Sequence, residues 1–316
     1  MELTVSKALD GTLLRDLLCR ELSLSRRTVA HLKQKENGIL LDGRRVTVRA
    51  VLRAGQRLSL ALDDDDISNS VVPAGDIPPI LYEDEDMLVC NKSGNMPTHP
   101  SHGHFDDTLA NAVAAYDLSH TGRPRVFRPI TRLDRETSGV VLIARNRRAA
   151  AKLSEDMRQK RLQKTYLAIL EGVPAERQGE IAHPIRRAAE SIILREICDA
   201  DATGAQTALT RYRVLCDWAV GTAHRCLVMA EPHTGRTHQL RVHFASIGTP
   251  IAGDGLYGHR SDGAPPRQCL HAFALRLEHP STGERMTLCA PLPDDILRHL
   301  PNDIKEQLDR LICLDE

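Results

Sequence analysis

The sequence predicts an α+β protein, with a large domain built on a mainly antiparallel mixed sheet and a small αβ domain in front of it. Three observations carry that expectation. Apolar strand-like runs at ILYEDEDMLVCNKSG, VVLIARN, KTYLAILEG, TALTRYRVL, AHRCLVMAE and ALRLEHP follow one another without regular alternation with helices, which argues against a parallel βα fold. The stretch DDDDISNSVVPAGDIPP, residues 63–79, has the composition of a linker and divides the chain into residues 1–62 and 80–300. A chain of 316 residues with 41% hydrophobic content is long enough for two cores, since domains usually hold roughly 100 to 200 residues.

In the first segment, Leu13, Leu14, Leu17 and Leu18 recur at helical spacing after Asp10, which is read as the N-cap. A second helix starts after Ser25, with Val29 and Leu32 on its apolar face and Arg26, Arg27, Lys33 and Lys35 on the other. GILLDGRRVTV reads as two strands turning at Asp42 and Gly43, and QRLSLAL as a last strand. In the large domain the spacing predicts helices at TLANAVAAYDL, RRAAAKLSEDMRQKRL and THQLRVHFASIG, and residues 301–316 read as an acidic tail.

Charged residues balance at 42 basic and 42 acidic, 27% of the chain, which excludes disordered and fibrous classes. No run approaches the roughly 18 apolar residues of a membrane helix, and acids occupy the N-terminus where a signal peptide would be basic. The expectation is a cytoplasmic, monomeric protein with no membrane partner. The eight cysteines are scattered singly and no CxxC pair exists, so buried reduced thiols are expected. The tightest histidine group, His233, His238 and His243, is better read as hydrogen-bonded structure than as ligands, and no metal is expected.

Neutrality hides an uneven distribution. Residues 1–62 carry 12 bases and 6 acids, residues 63–87 carry 9 acids and no base, and residues 123–165 carry 13 bases and 4 acids. Two basic regions fit either ordinary solvated faces or anion contacts, with nucleic acid as the partner. The densest polar segment is RPITRLDRETSGVVLIARN, where Arg132, Asp134, Arg135 and Glu136 crowd against a buried strand. Such density is expensive for folding alone, and it marks a site. An aspartate flanked by arginines stays ionised, which suits a nucleophile or electrostatic stabiliser.

Around that aspartate, RLDRETSG at 132–139 resembles the signature of the RluA-type RNA pseudouridine synthases. NKSGNMPTHP at 91–100, KTYLAILEG at 164–172 and HTGRTHQLRVHFASIGTPIAGDGLYG at 233–258 resemble further motifs of that family in the same order, followed by LHAFALRLEHP and APLP. The resemblance spans about residues 78 to 300, with Ser93 standing where the family commonly has Pro and Thr131 where His often precedes the Arg. SRRTVAHLKQKENGILLDGRRV with AGQRLSL resembles an S-four-like RNA-binding domain, which would present Arg26, Arg27, Lys33, Arg44 and Arg45 to RNA.

The resemblance implies isomerisation of uridine to pseudouridine in RNA without a cofactor, in agreement with the lack of a Gly-rich nucleotide loop. Asp134 matches the catalytic carboxylate, acting either at the sugar anomeric carbon or as a base at the neighbouring position. Arg132 matches the residue that fills the space of the flipped base, with a phosphate clamp as the alternative. Tyr166 matches the tyrosine that packs on the base. Arg241 matches the arginine paired with the aspartate, with Arg236 as its competitor at the mouth of the site. Asp254 and Tyr257 would order a turn, with unusual backbone angles at Gly253 and Gly255. The S-four-like segment points to large-subunit ribosomal RNA, with transfer RNA as the other option. An RNA-binding assembly factor without catalysis is opposed by the intact set of four site residues, and a glycoside or nucleoside hydrolase by the lack of a second carboxylate better spaced than Glu136.

Overall fold

A computed structural model of the chain describes residues 2–22, 24, 26–61, 71–101, 103–258 and 264–312. The N-terminal segment holds β1 (Glu2–Thr4), α1 (Leu14–Asp16, running on as a π-helical turn over Leu17–Glu21), α2 (Arg26–Gln34), β2 (Ile39–Leu41), β3 (Arg44–Arg45) and β4 (Arg57–Leu60). Its strands pair antiparallel in the order β1-β4-β2-β3. Leu14, Leu17 and Leu18 meet Val29 and Leu32 of α2 and Leu58 and Leu60 of β4 in one core. Asp42 and Gly43 both take positive φ, 50° and 75°, as a two-residue hairpin turn of this kind demands. Asp10 does not cap the helix. The helix starts at Leu14 with Leu13 in the N-cap position, while the Asp10 Oδ1 accepts from Ala54 N–H across the domain. Strand β1 escapes a sequence reading because three residues carry too little periodicity to register.

Residues 62–70, which include the first part of the linker, lie outside the described residues. Its C-terminal half is pinned to the second unit: Asn111 Nδ2 donates to Val72 O, and Ala74 N–H donates to Asn111 O.

The second unit contains β5 (Ile80–Glu83), β6 (Met87–Lys92), α3 (Leu109–Thr121), β7 (Arg128–Pro129), β8 (Ser138–Ala144), α4 (Arg147–Arg158), β9 (Gln163–Glu171), β10 (Gln178–Ile181), β11 (Ile185–Arg187), β12 (Arg195–Ile197), β13 (Thr210–Val220), β14 (Ala223–Pro232), α5 (Gln239–Ser246), β15 (Leu270–Glu278), β16 (Arg285–Cys289), α6 (Asp294–Leu297) and α7 (Asn302–Leu311). The main path of its sheet runs β10-β13-β14-β9-β15-β8-β6-β5. All neighbours on that path are antiparallel except β15 and β8, which run parallel. The expected α+β class with a mainly antiparallel mixed sheet is what forms.

Both faces are covered, and the period-two alternation of side chains explains how. On β8, Val141 and Ile143 pack with Leu109 and Val113 of α3, whereas Val140 and Leu142 pack with Ala149 and Leu153 of α4. On β9, Ala168 and Leu170 pack with Leu240 and Phe244 of α5, whereas Leu167 and Ile169 meet Ile296 of α6 and Ile304 of α7. The segment read as an acidic tail is therefore in part a docked helix, because its apolar residues, Ile304 among them, form a stripe that the charged residues conceal in a composition count. Gly139 sits where β8 meets β15, with φ 115°, and a Cβ there would lie 2.2 Å from Ala272 O. Only glycine permits that approach. Among the described residues no helix is long and apolar enough to cross a membrane.

Candidate active site

Leu133, Asp134, Tyr166, Arg236, His238 and Arg241 line a cavity of about 540 Å³. The turn carrying Asp134 precedes β8, and its carbonyls are gripped one by one. Thr98 Oγ1 donates to Leu133 O at 2.9 Å, Lys92 Nζ to Arg135 O at 3.1 Å, and Arg267 Nη1 to Glu136 O at 2.7 Å. Thr137 N–H closes the turn onto Asp134 O, and Gln268 Nε2 donates to Thr137 Oγ1. Loop residues thus acquire the rigidity of a packed element, which a reacting group needs. Arg267 is itself fixed by a two-pronged pair with Asp295, at 2.6 and 2.9 Å.

The Asp134 carboxylate is a quarter exposed and faces the cavity. Its nearest cation is Arg241, Nη1 to Oδ2 at 3.6 Å. The primary partner of Arg241 is another acid: Nε and Nη2 donate to the two oxygens of Asp254, each at 2.7 Å. Burial works against both charges, but this bidentate pair outweighs it, so Arg241 holds its proton more tightly and the Asp254 carboxyl titrates below its usual range. Arg241 thus stands beside Asp134 as well as in a tighter pair with Asp254, a partner the sequence reading does not name. Asp254 also accepts from Leu256 and Tyr257 N–H, ordering the expected turn. There Gly253 takes positive φ, 76°, whereas Gly255 does not.

A second chain of contacts reaches the carboxylate. Arg195 N–H donates to Tyr257 Oη at 2.9 Å, and that oxygen is hydrogen-bonded to His238 Nδ1, 2.8 Å away. His238 Nε2 faces Asp134 Oδ2 at 3.9 Å. Burial pulls the His238 pKa down, which keeps the ring neutral. Its backbone is left-handed, φ 58°, an uncommon conformation for histidine that places the ring at the start of α5. Arg241 lies 5.1 Å over the Tyr257 ring and completes the cluster. Tyr166 rises from β9 at the junction of two core clusters; burial and the nearby Asp134 charge push its pKa up, so it stays a neutral phenol.

The structure brings together Asp134, Arg132, Tyr166, Arg241 and Arg236, from three separate stretches of sequence. Arg132 is exposed at the rim, and Arg236 lies at the mouth with Nε on Thr207 O. Arg135, which flanks Asp134 in sequence, turns away to Asn95 Oδ1. The carboxylate is held by a distant residue rather than by its neighbours. His243 is buried between Thr210 Oγ1 and His183 O, and His238, hydrogen-bonded to Tyr257 Oη, also faces the carboxylate. Lys92, fully buried, is a site residue that sequence reasoning misses: burial first, then the Arg267 charge, brings its pKa down to about 7, while carbonyls of Ser93, Met96 and Arg135 receive its donors. A lone Lys at the end of an apolar strand is the available signal. Thr131 is buried and accepts from Leu142 N–H, a packing role, and Ser93 enters through its carbonyl.

Among the described residues no group of three His, Cys, Asp or Glu side chains is placed to hold a metal. Of the cysteines, Cys90, Cys226 and Cys269 are buried, whereas Cys289 is exposed, against the expectation that all would be buried. In the N-terminal unit Lys33, Arg44 and Arg45 are exposed, and Arg45 Nη2 ties the hairpin to the Lys33 carbonyl of α2. Arg26 and Arg27 lie on α2, their side chains outside the described residues.

Comparison with known proteins shows the family. The family described as RNA pseudouridylate synthase matches residues 86–246. The chain is 34% identical over 296 residues to the Bacillus subtilis protein named uncharacterized RNA pseudouridine synthase YhcT, covering 94% of this chain and 95% of that one. It is also 34% identical over 279 residues to ribosomal large subunit pseudouridine synthase D of Pseudomonas aeruginosa, covering 83% of each. Among solved structures, human RNA pseudouridylate synthase domain containing 1 superimposes with a TM-score of 0.58 at 29% identity, covering 74% of this chain and 94% of that chain.

Proposed function

The chain belongs to the RluA-type family of RNA pseudouridine synthases, and from that premise we propose that it isomerises uridine in large-subunit ribosomal RNA with Asp134 as the catalytic carboxylate. The observation that carries the assignment is a partly exposed carboxylate on a clamped turn, facing a cavity that also holds Tyr166, Arg236 and Arg241. Isomerisation breaks the bond from ribose to the uracil nitrogen, turns the base and rejoins it through carbon 5. The Asp134 carboxylate, free of tight hydrogen bonds among the described residues, is available to the sugar, at the anomeric carbon or at the neighbouring position. Tyr166 offers a ring face to the detached base, a contact worth about 1 to 3 kcal/mol. Arg132 at the rim fills the gap left by the flipped nucleotide, whose extrusion costs a few kcal/mol.

The neutral His238 and the Asp254-bound Arg241 set the field around Asp134 from behind, so the carboxylate is polarised without being neutralised by a direct bidentate pair. The choice of ribosomal RNA rests on relatives named for that substrate and on the basic N-terminal unit, in which Lys33, Arg44 and Arg45 reach solvent. We read that unit as a cytoplasmic enzyme's RNA anchor. The experiment is to map pseudouridine in a large-subunit ribosomal RNA transcript after incubation with the purified protein and with its Asp134→Asn variant. New pseudouridine only with the wild-type protein supports the assignment; modification of transfer RNA alone would redirect the substrate.

A further inference from the structure

Beside the main cavity lies a smaller one, of about 270 Å³, lined by Arg186, Arg187, Arg195, Gln206, Arg236 and Thr237. It is built largely by the hairpin of β11 and β12, whose side chains take no part in the proposed chemistry. Four arginines meet there. Arg186 is neutralised by Glu196 at 2.8 Å. Arg187, Arg195 and Arg236 have no carboxylate partner among the described residues.

Strand register adds to this. Arg187 and Arg195 are directly opposite each other across the antiparallel pair. Like charges in that position repel and destabilise a hairpin, so folding alone does not explain them. Beyond them, at the tip, Ile192 is 82% exposed and Ile193 56% exposed. An arginine-lined hollow beside an apolar tip fits a nucleic-acid strand: guanidinium groups receive phosphates, and an apolar wedge receives the face of an unstacked base.

We infer that the β11–β12 hairpin is an RNA clamp, in which Arg187, Arg195 and Arg236 bind a backbone phosphate flanking the reacting uridine and Ile192 packs against a neighbouring base. This rests on the reading that the substrate is RNA. Two links tie the clamp to the reacting centre. Arg236 and Thr237 line both cavities. The backbone of Arg195 holds Tyr257, which holds His238 beside Asp134.

The test uses the full chain, a fluorescent oligouridylate for binding and a ribosomal RNA transcript for turnover. Arg187→Gln and Arg195→Gln should each lower the slope of log affinity against log salt by about 0.7, so that the loss at about 50 mM salt exceeds that at about 200 mM by roughly threefold. Both should fold with an unchanged or higher Tm, since each removes a repulsion. Ile192→Ser should weaken binding by the same factor at both salt concentrations. Unchanged affinity and slope in all three would overturn the clamp and leave the hairpin to a protein partner; a lower Tm in both arginine variants with an unchanged slope would make the arginines structural. A wild-type protein that makes no pseudouridine would defeat the catalytic assignment instead, because the binding arm does not depend on turnover.

Discussion

Arg241 divides itself unequally between two carboxylates: it grips Asp254 with two bonds of 2.7 Å and stands 3.6 Å from Asp134. Asp254 is fully buried and Asp134 is not. The stability of the pair therefore belongs to the first contact, while the second faces the proposed reacting group.

Arg241→Met should accordingly destabilise the fold by about 3 to 5 kcal/mol, because it strands the buried Asp254 charge. Arg241→Met combined with Asp254→Asn should recover most of that loss, whereas Arg241→Met combined with Asp134→Asn should recover little. Neither double variant should regain activity. Chemical denaturation of the four proteins checks this, and full recovery by Asp134→Asn would show that Asp134 is the true partner.

Asp134→Asn should abolish pseudouridine formation with a stability change within about 0.5 kcal/mol, since the carboxylate makes only the two longer charge contacts. RNA affinity should stay within a few fold. Wild-type turnover in the variant would remove Asp134 from the reaction.

Tyr166→Phe should keep kcat/KM close to wild type, because the ring face and not the hydroxyl meets the base. Tyr166→Ala should lose about 1 to 3 kcal/mol of transition-state stabilisation, the value of one stacked base. Equal losses in both variants would assign the role to the phenol proton.

His271, on β15 behind the turn that carries Asp134, has its pKa pulled from 6.5 down to about 4, mainly by burial. Its neutral ring accepts from Ser138 Oγ–H and donates to Ala290 O. The unfolded chain takes up this proton near 6.5 and the folded one only near 4, so the contribution to stability is complete above 6.5 and is lost as pH falls toward 4. The loss from this residue should total about 3 kcal/mol, on the scale of 1.36 kcal/mol per pKa unit. His238, His243 and His299 shift in the same direction and add to the slope. Denaturation across that range should show His271→Gln with the shallower dependence; an equal slope would place the acid sensitivity elsewhere.

Gly139→Ala should destabilise the protein more than any surface change. The new Cβ collides with the Ala272 carbonyl at 2.2 Å, where overpacking alone costs about 1 to 3 kcal/mol and the backbone strain at φ 115° adds to it. A Tm equal to wild type would mean that β8 and β15 separate more easily than their register implies.

The sequence by itself determined the long central strands, because apolar runs such as VVLIARN and KTYLAILEG are buried on both faces and advertise it in their composition. It also singled out the proposed reacting group: a charged turn abutting such a run has no folding rationale, and the motif order around RLDRETSG pointed to the family. Tertiary structure alone decided the electrostatic partners. Charges on neighbouring residues look coupled in a sequence, yet the turn points Arg135 at Asn95 and leaves Arg132 at the rim, while the cation beside Asp134 arrives from α5. The clamp on that turn by Thr98, Lys92 and Arg267 was equally illegible, since side chains from distant segments reach backbone carbonyls, and a carbonyl has no letter in the sequence. The β11–β12 hairpin was hidden for a related reason: strands of three residues have no measurable period, and their opposed arginines become informative only once the register sets them face to face.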